Sequence, residues 1–181
     1  MLGCCRNNSE CHCSCHDDPE HIMHCVPCCH QCPFCKTNIP TYAFNNHKQE
    51  CSPKRFGIVG SRDFTNYEYM KMALDNLFFG YATFSGEPIY NCRKINSGGA
   101  DGADSLAELY AKENSIEFEK FEPDRKRYRE IGNQIYFDRN KLIVDNSDII
   151  VAFWDGKSTG TLNTVNYAKR DGKKVLVYWP S

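Results

Sequence analysis

From residue 55 onward, short apolar runs alternate with segments whose apolar residues recur at helical spacing. Short continuous apolar runs are typical of buried strands, and spacing of three and four residues is typical of helices with one buried face. The pattern predicts strands over residues 55–59, 92–96, 116–121, 149–153 and 174–178, and helices over 66–78, 105–114, 134–145 and 161–170. Because helices separate the strands, the connections are crossovers and the sheet is mostly parallel. We therefore expect an α/β fold, a Rossmann-like three-layer domain.

The first 51 residues differ in composition, because they hold eleven of the twelve cysteines and all six histidines. The first six residues lack the basic and apolar regions of a secretory signal, so we expect an intracellular compartment, cytoplasmic or nuclear. Disulfides are rare in such a reducing compartment, and clustered Cys and His residues indicate metal binding. The composition divides the chain into a Cys/His-rich segment 1–31, a finger 32–51, a linker 52–54 and an α/β domain 55–181.

Residues 32–51 have the ligand spacing of a zinc finger. Cys32 and Cys35 form a CxxC pair, and His47 and Cys51 are spaced to lie on one face of a helical turn. Three thiolates and one imidazole form a closed tetrahedral set that suits Zn²⁺ and leaves no open position for catalysis. Because so short a segment buries little apolar area, zinc would supply its folding free energy.

The finger resembles short C2HC zinc fingers, including a type that binds ubiquitin. Besides the four ligands, the resemblance rests on Ile39 after the first pair and on Phe44 and Asn45 before the histidine. Ubiquitin-binding members carry an aspartate two residues after the histidine, where this chain has Gln49. The resemblance implies a fold-stabilising or protein-contact module, with ubiquitin or nucleic acid as alternative partners.

Residues 4–30 hold further donors, and we expect a second zinc site among them. Cys25 and Cys28 form another CxxC pair. More donors are present than one zinc ion needs, so the spacing leaves the complete set open. The candidates are Cys11, Cys13, Cys15, His16, Cys25 and Cys28. The alternative is a Cys/His tract that binds metal loosely.

Three loops of the α/β domain follow predicted strands and combine glycine with polar side chains. They read GSR at residues 60–62, SGGADGAD at 97–104 and WDGKSTGT at 154–161. Open α/β sheets bind ligands at the carboxyl ends of their strands, where glycine allows close backbone approach and helix N-termini favour anions. We therefore predict a site for a phosphorylated ligand, in which Arg62 forms a charge-assisted fork and Trp154 stacks on a base or sugar.

Each residue of these loops also has a structural alternative. Asp101 can cap the helix that follows it, with Asp104 as the partner in a capping box. Gly98 and Gly99 can serve a tight turn, and Trp154 can pack at the sheet edge. The coincidence of three such loops at corresponding strand ends favours ligand binding.

The domain also resembles the YspA-like branch of the SLOG superfamily over about residues 55–178. The resemblance rests on GSRDF after the first strand, SGGADGAD after the second, VAFWDGKSTGTLNT around the fourth, and an Arg-Asn pair in the helix 134–145. It implies a Rossmann-like domain that binds nucleotides or nucleotide-derived ligands, and a homo-oligomer is a further expectation by analogy. The candidate ligand-binding residues are Gly60, Ser61, Arg62, Ser97, Gly98, Gly99, Ala100, Asp101, Gly102, Asp104, Arg139, Asn140, Trp154, Asp155, Ser158, Gly160 and Thr161.

LOG enzymes of this superfamily hydrolyse nucleotide N-glycosidic bonds, and this is the alternative function. Their PGGxGTxxE motif supplies a glutamate at the ribose, where this chain has Thr164. The acids that could replace the glutamate are Asp101, Asp104, Asp138 and Asp155, and the sequence leaves the catalytic residue unassigned. Because the glutamate is missing, the sequence favours a sensor or binding module over an enzyme.

A basic stretch at residues 125–129 is the remaining candidate for a macromolecular partner. Its sequence RKRYR could contact nucleic-acid phosphates, although acidic residues on both sides favour a solvated surface. The net charge of −1 gives no general reason to expect nucleic acid. No apolar run approaches the ~18 residues of a transmembrane helix, so we expect no membrane span.

Overall fold

The computed structural model describes residues 29–31, 33, 38–40, 45, 48, 51–80 and 89–179. The chain divides into two compact units, Met1–Ser52 and Pro53–Ser181. In the first unit, β1 (Cys29–Gln31) and β2 (Asn38–Pro40) pair in antiparallel fashion. Of the four predicted finger ligands only Cys51 is described, and all candidates for the second zinc site lie outside the described residues.

The second unit contains a five-stranded sheet in which every neighbouring pair is parallel. The strands are β3 (Lys54–Gly60), β4 (Cys92–Ser97), β5 (Glu117–Lys120), β6 (Ile149–Phe153) and β7 (Lys174–Tyr178). Their order in the sheet is β5-β4-β3-β6-β7. Strand β3 is central, and the chain forms β4 and β5 on one side of it before it crosses to form β6 and β7 on the other.

Helices cover both faces of the sheet, which gives the expected three layers. The helices are α1 (Tyr67–Phe79), α2 (Ala103–Glu113), α3 (Tyr128–Ile131), α4 (Gln134–Asp145) and α5 (Thr159–Arg170), with a 3₁₀ turn at Arg125–Arg127. Along β6, Val151 and Phe153 pack toward α1 and α2, whereas Ile150 and Ala152 pack toward α4 and α5. A strand buried on both faces is apolar at every position, which explains the run IIVAF.

The five strands and four longer helices predicted for this domain are confirmed, with small shifts at their ends. Helices α2 and α5 each begin two residues earlier than predicted, at Ala103 and Thr159. The β1–β2 pair, the 3₁₀ turn and α3 were not predicted, because elements so short show no periodicity. No helix within the described residues is long and apolar enough to cross a membrane.

Candidate ligand-binding site

The candidate site lies where the chain changes direction in the sheet, at the carboxyl ends of β3 and β6. Gly60 pairs with Phe153, so the two strands end at the same level. The N–H of Ser61 donates to the carbonyl of Phe153 at 3.0 Å, and the N–H of Asp155 donates to Oγ of Ser61 at 3.2 Å. These bonds join the loops after β3 and β6, and such a junction is where open α/β sheets bind ligands.

A small cavity of about 90 Å³ lies beside this junction. It is larger than the roughly 15 Å³ needed for one water molecule and smaller than the roughly 300 Å³ at which pockets for whole small-molecule ligands begin. The cavity can therefore hold one group of a ligand, such as a phosphate. Its lining residues are Val59, Gly60, Arg62, Ala100, Asp104, Tyr136, Arg139, Asn140, Ile143, Ser158, Gly160, Thr161 and Thr164.

Arg139 is a buried cation in this cavity, and its side chain is only 9% exposed. Within the described part of the chain, Nε and Nη1 of Arg139 have no hydrogen-bond acceptor. Burial lowers the pKa of the guanidinium, and the nearby carboxylate of Asp104 raises it. Buried donors without an acceptor cost free energy, and those of a charged group cost more. An anion in the cavity would supply the missing acceptor.

Asp104, in the first turn of α2, is the buried counter-charge of Arg139. Its Oδ2 lies 3.5 Å from Nη1 of Arg139 and accepts from the N–H of Ala100 at 3.3 Å. Burial raises the pKa of Asp104, whereas Arg139 and the N–H of Ala100 lower it. The carboxylate therefore holds the guanidinium in place without forming a close hydrogen bond to it.

Two predicted glycines shape the site without lining the cavity. A Cβ at Gly98 would lie 1.3 Å from Nη1 of Arg139, so only glycine leaves room for the guanidinium. Gly102 is the N-cap of α2 with φ of 78°, a conformation that favours glycine. A Cβ there would lie 2.2 Å from the carbonyl oxygen of Arg62. Because Gly102 occupies the N-cap, the capping role considered for Asp101 is wrong.

Asp155 lies in the loop after β6, one of the three loops that the sequence predicts to bind a phosphorylated ligand. Its Oδ1 accepts from the N–H groups of Lys157 and Ser158, both at 2.9 Å. These bonds lower the pKa of Asp155 to about 2. Ser158 in turn caps α5 by accepting from the N–H of Thr161. Several amide donors of this loop are thus already bonded, whereas the described residues give Nε and Nη1 of Arg139 no hydrogen-bond acceptor.

Trp154 packs at the sheet edge and does not line the cavity, as far as the described residues define it. Its indole N–H donates to the carbonyl of Ser158 at 3.0 Å. Its ring lies 5.3 Å from the ring of Trp179, at an interplanar angle of 36°. The structure therefore gives Trp154 the packing role that the sequence left as the alternative to stacking on a ligand.

A larger groove of about 750 Å³ adjoins the cavity. The two share Arg62, Tyr136, Asn140, Ser158 and Gly160, so the cavity and the groove form one continuous site. The groove volume falls within the roughly 300–1,000 Å³ of pockets that hold small molecules. Its further lining residues are Ser61, Asp63, Asn133, Phe137, Asp155, Lys157 and Thr159.

Comparison with known proteins supports the fold. No family model and no curated protein matches the chain. Among solved structures, DNA processing protein A from Streptococcus pneumoniae is similar at 19% identity and a TM-score of 0.51, over 71% of this chain and 51% of that one. The protein of the same name from Helicobacter pylori is similar at 21% identity and a TM-score of 0.48, over 70% and 65%.

The molybdenum cofactor binding protein from the phototrophic bacterium Rippkaea orientalis is also similar, at 19% identity and a TM-score of 0.49, over 72% of this chain and 78% of that one. The match to DNA processing protein A from Streptococcus pneumoniae spans about half the length of that protein. The second unit has a Rossmann-like fold.

The Rossmann-like domain brings eleven of the predicted binding residues to the cavity or the groove. They are Gly60, Ser61, Arg62, Ala100, Asp104, Arg139, Asn140, Asp155, Ser158, Gly160 and Thr161. The predicted residues that do not line either space are Ser97, Gly98, Gly99, Asp101, Gly102 and Trp154. Ser97 is buried, and its hydroxyl donates to the carbonyl of Ile58 at 2.7 Å.

Sequence reasoning missed two aromatic residues of the site, Tyr136 and Phe137 on α4. Tyr136 lines the cavity and the groove, and Phe137 lines the groove. Tyr136 lies three and four positions before Arg139 and Asn140, and residues so spaced share one helix face. This spacing relative to Arg139 and Asn140 is the signal in the sequence that could have identified Tyr136. Of the acids considered for hydrolysis, Asp104 and Asp155 line the site, and Asp101 and Asp138 do not.

Proposed function

We propose that the Rossmann-like domain binds a nucleotide or nucleotide-derived ligand by a phosphate group, as a sensor or binding module. The observation that carries this proposal is the buried guanidinium of Arg139 in a cavity of phosphate size, where the described residues offer no acceptor to its Nε and Nη1. Arg62 is exposed and lines both spaces, so it supplies a second cation at the mouth of the cavity. A charged acceptor pairs with such donors more strongly than a neutral one.

The groove supports a ligand larger than inorganic phosphate. It adjoins the cavity and is lined mainly by hydroxyl, amide and charged side chains. Polar groups of this kind orient a ribose or a base, while an anionic group is held at the cavity. The resemblance to the SLOG superfamily supports the same class of ligand.

A binding module is favoured over an N-glycosidic hydrolase by the contacts of Asp104 and Asp155, two of the three acids that line the site. Asp155 is engaged by two loop amides. Asp104 faces Arg139 and bonds the N–H of Ala100. A hydrolase needs a carboxylate that reaches the ribose or its attacking water. Asp104 and Asp155 are thus engaged, and Asp63, the third acid, lines the groove but not the cavity. We therefore propose binding without cleavage.

Titration calorimetry with the full chain tests this proposal, using nucleoside mono-, di- and triphosphates, NAD and ADP-ribose. We expect at least one to bind, and Arg62→Ala to weaken it by about 10- to 100-fold, because a hydrogen bond to a charged group contributes about 1.5–3 kcal/mol. Arg93→Ala is the matched control, since Arg93 is exposed near the start of β4, at the opposite edge of the sheet.

Mass spectrometry of the recovered ligand separates binding from hydrolysis. An intact nucleotide agrees with a binding module, whereas free base and ribose phosphate would establish the hydrolase. Absence of binding across the whole panel, or equal affinity in the wild type and Arg62→Ala, would contradict the proposed site.

We also propose that the first unit binds zinc through Cys32, Cys35, His47 and Cys51. The antiparallel strands β1 and β2 support this, because they flank the segment that contains the CxxC pair. A closed set of three thiolates and an imidazole is a structural zinc site. Such a module would contact a protein or a nucleic acid. A second zinc ion would be bound by ligands from the set Cys11, Cys13, Cys15, His16, Cys25 and Cys28.

Elemental analysis of the purified full chain tests the zinc site. We expect Cys35→Ser and Cys51→Ser each to lose one zinc ion per chain, because a site with three ligands holds zinc less tightly. Cys92→Ser is the control, since Cys92 lies in β4 of the Rossmann-like domain. Unchanged zinc content in both finger variants would contradict the assignment of these ligands.

A further inference from the structure

Phe137 is an apolar side chain in a groove whose other lining residues are mainly polar. Its side chain is 39% exposed, although most large hydrophobic residues of this domain are buried in the two cores. An exposed aromatic face within a ligand groove can stack on a flat ring. Phe137 therefore provides an apolar surface in the groove that suits a flat ring and not a sugar or a phosphate.

The position of Phe137 on α4 relates it directly to the phosphate-binding residues. Asn140, one turn further along α4, lines both the groove and the cavity, and Arg139 lies in the cavity. Residues three apart are neighbours on one helix face, so Phe137 lies beside Asn140. The aromatic side chain in the groove therefore borders, through Asn140, the cavity that Arg139 lines.

Trp154 is not available for stacking, because its ring packs against Trp179 and its indole N–H is bonded to Ser158. Asn133 lies four residues before Phe137 and also lines the groove. Residues with this spacing are neighbours on a helix, so the amide of Asn133 can reach the edge of a ring stacked on Phe137. Together they provide a face and an edge contact for one heterocycle.

We propose that Phe137 is the base-stacking residue of the site and makes it specific for nucleoside phosphates over sugar phosphates. This inference rests on the proposed function, since it assumes that the phosphate lies in the cavity beside Arg139. Stacking on an aromatic side chain accepts purines and pyrimidines alike. Phe137 therefore sets the ligand class, while the groups at the base edge select among bases.

Calorimetry with adenosine 5′-monophosphate, uridine 5′-monophosphate and ribose 5-phosphate tests this role. We expect the wild type to bind both nucleotides about tenfold or more tightly than ribose 5-phosphate. Phe137→Ala should remove most of this preference by weakening the nucleotides alone, and Phe137→Trp should retain it. Leu142→Ala is the matched control, because Leu142 is an exposed apolar residue of α4, 48% exposed, that lines neither space.

The possible outcomes separate this inference from the proposed function. Nucleotide binding that depends on Arg62 but is unchanged in Phe137→Ala would overturn the stacking role and leave the phosphate site intact. An equal loss of affinity for nucleotides and ribose 5-phosphate in Phe137→Ala would also overturn it, because stacking requires a base. A wild type that binds none of these three ligands would overturn this inference, and the proposed function would be overturned only if the wider nucleotide panel also failed to bind.

Discussion

Gly98→Ala is expected to abolish binding of phosphorylated ligands and to lower the free energy of unfolding by about 1–3 kcal/mol, the usual cost of overpacking. The new Cβ would lie 1.3 Å from Nη1 and 2.3 Å from Cζ of Arg139. Gly98 directly follows β4, whose backbone is fixed by pairing with β3 and β5. The guanidinium must therefore leave its position, and the cavity loses its buried cation. Urea unfolding and calorimetry with a nucleotide measure the two effects.

A double-variant cycle shows whether the clash with Arg139 is the cause. Arg139→Ala removes the guanidinium atoms that the new methyl group would meet. In that background, the loss in free energy of unfolding caused by Gly98→Ala should therefore be smaller by at least ~1 kcal/mol. Part of the cost remains, because the Cβ also lies 2.7 Å from Oδ2 of Asp104. Gly160→Ala is the stability control, since a Cβ placed there would meet no other described residue within 4 Å beyond its chain neighbours and the backbone of its own helix. Equal costs of Gly98→Ala in both backgrounds would contradict this account.

The layout of the domain was predictable because its strands and helices have clear local signals. The run IIVAF of β6 has apolar residues at every position, as expected of a strand covered on both sides. The glycine-containing loops follow the strands, and a parallel sheet brings such loops to one edge. The sequence therefore placed these loops at one edge of the sheet, where the structure has the cavity and the groove.

The packing and hydrogen-bond partners of the site residues were not predictable in the same way, because most of them depend on the folded arrangement of the chain. Trp154 packs against Trp179 only because β6 and β7 are adjacent in the sheet. Asp155 accepts from its own loop because of the local turn, which the composition of the loop did not reveal. Tyr136 and Phe137 were missed because the apolar pattern marks the buried face of a helix and not the face beside a cavity.

These contacts determine which hydrogen-bond donors of the site are left to bind a ligand. The loop after β6 satisfies several of its own amides, whereas the described residues give Nε and Nη1 of Arg139 no hydrogen-bond acceptor. We therefore expect an anionic ligand to be held through a guanidinium from α4 more than through a glycine-rich loop. Its affinity should depend on the charge state and packing of Arg139 and Asp104, which line the cavity together.

Arg139→Met is expected to abolish nucleotide binding and to lower the free energy of unfolding by about 3–5 kcal/mol at pH 7, the usual cost of breaking a buried ion pair. The variant leaves the Asp104 carboxylate buried without its counter-charge. Burial already raises the pKa of Asp104, and Arg139 is the first of the groups that lower it. Without Arg139, the pKa of this carboxyl in the folded protein rises further above its value in the unfolded chain.

The sign of the pH dependence follows from that rise. Above the folded-state pKa the charged carboxylate destabilises the variant in full, and as pH falls through that pKa the folded protein takes up a proton. The stability deficit of Arg139→Met relative to the wild type should therefore be largest at neutral pH and shrink toward about pH 4, near the unfolded value of an aspartate. Urea unfolding at several pH values measures it.

The double variant Arg139→Met with Asp104→Asn separates charge from packing. Asparagine keeps an oxygen that accepts from the N–H of Ala100 but carries no charge. We therefore expect the double variant to recover most of the lost stability at pH 7 and to lose the pH dependence, because no unpaired charge remains buried. Nucleotide binding should stay absent, since the guanidinium is still missing. A deficit that is independent of pH, or nucleotide binding in Arg139→Met, would contradict the assignment of this pair to the anion site.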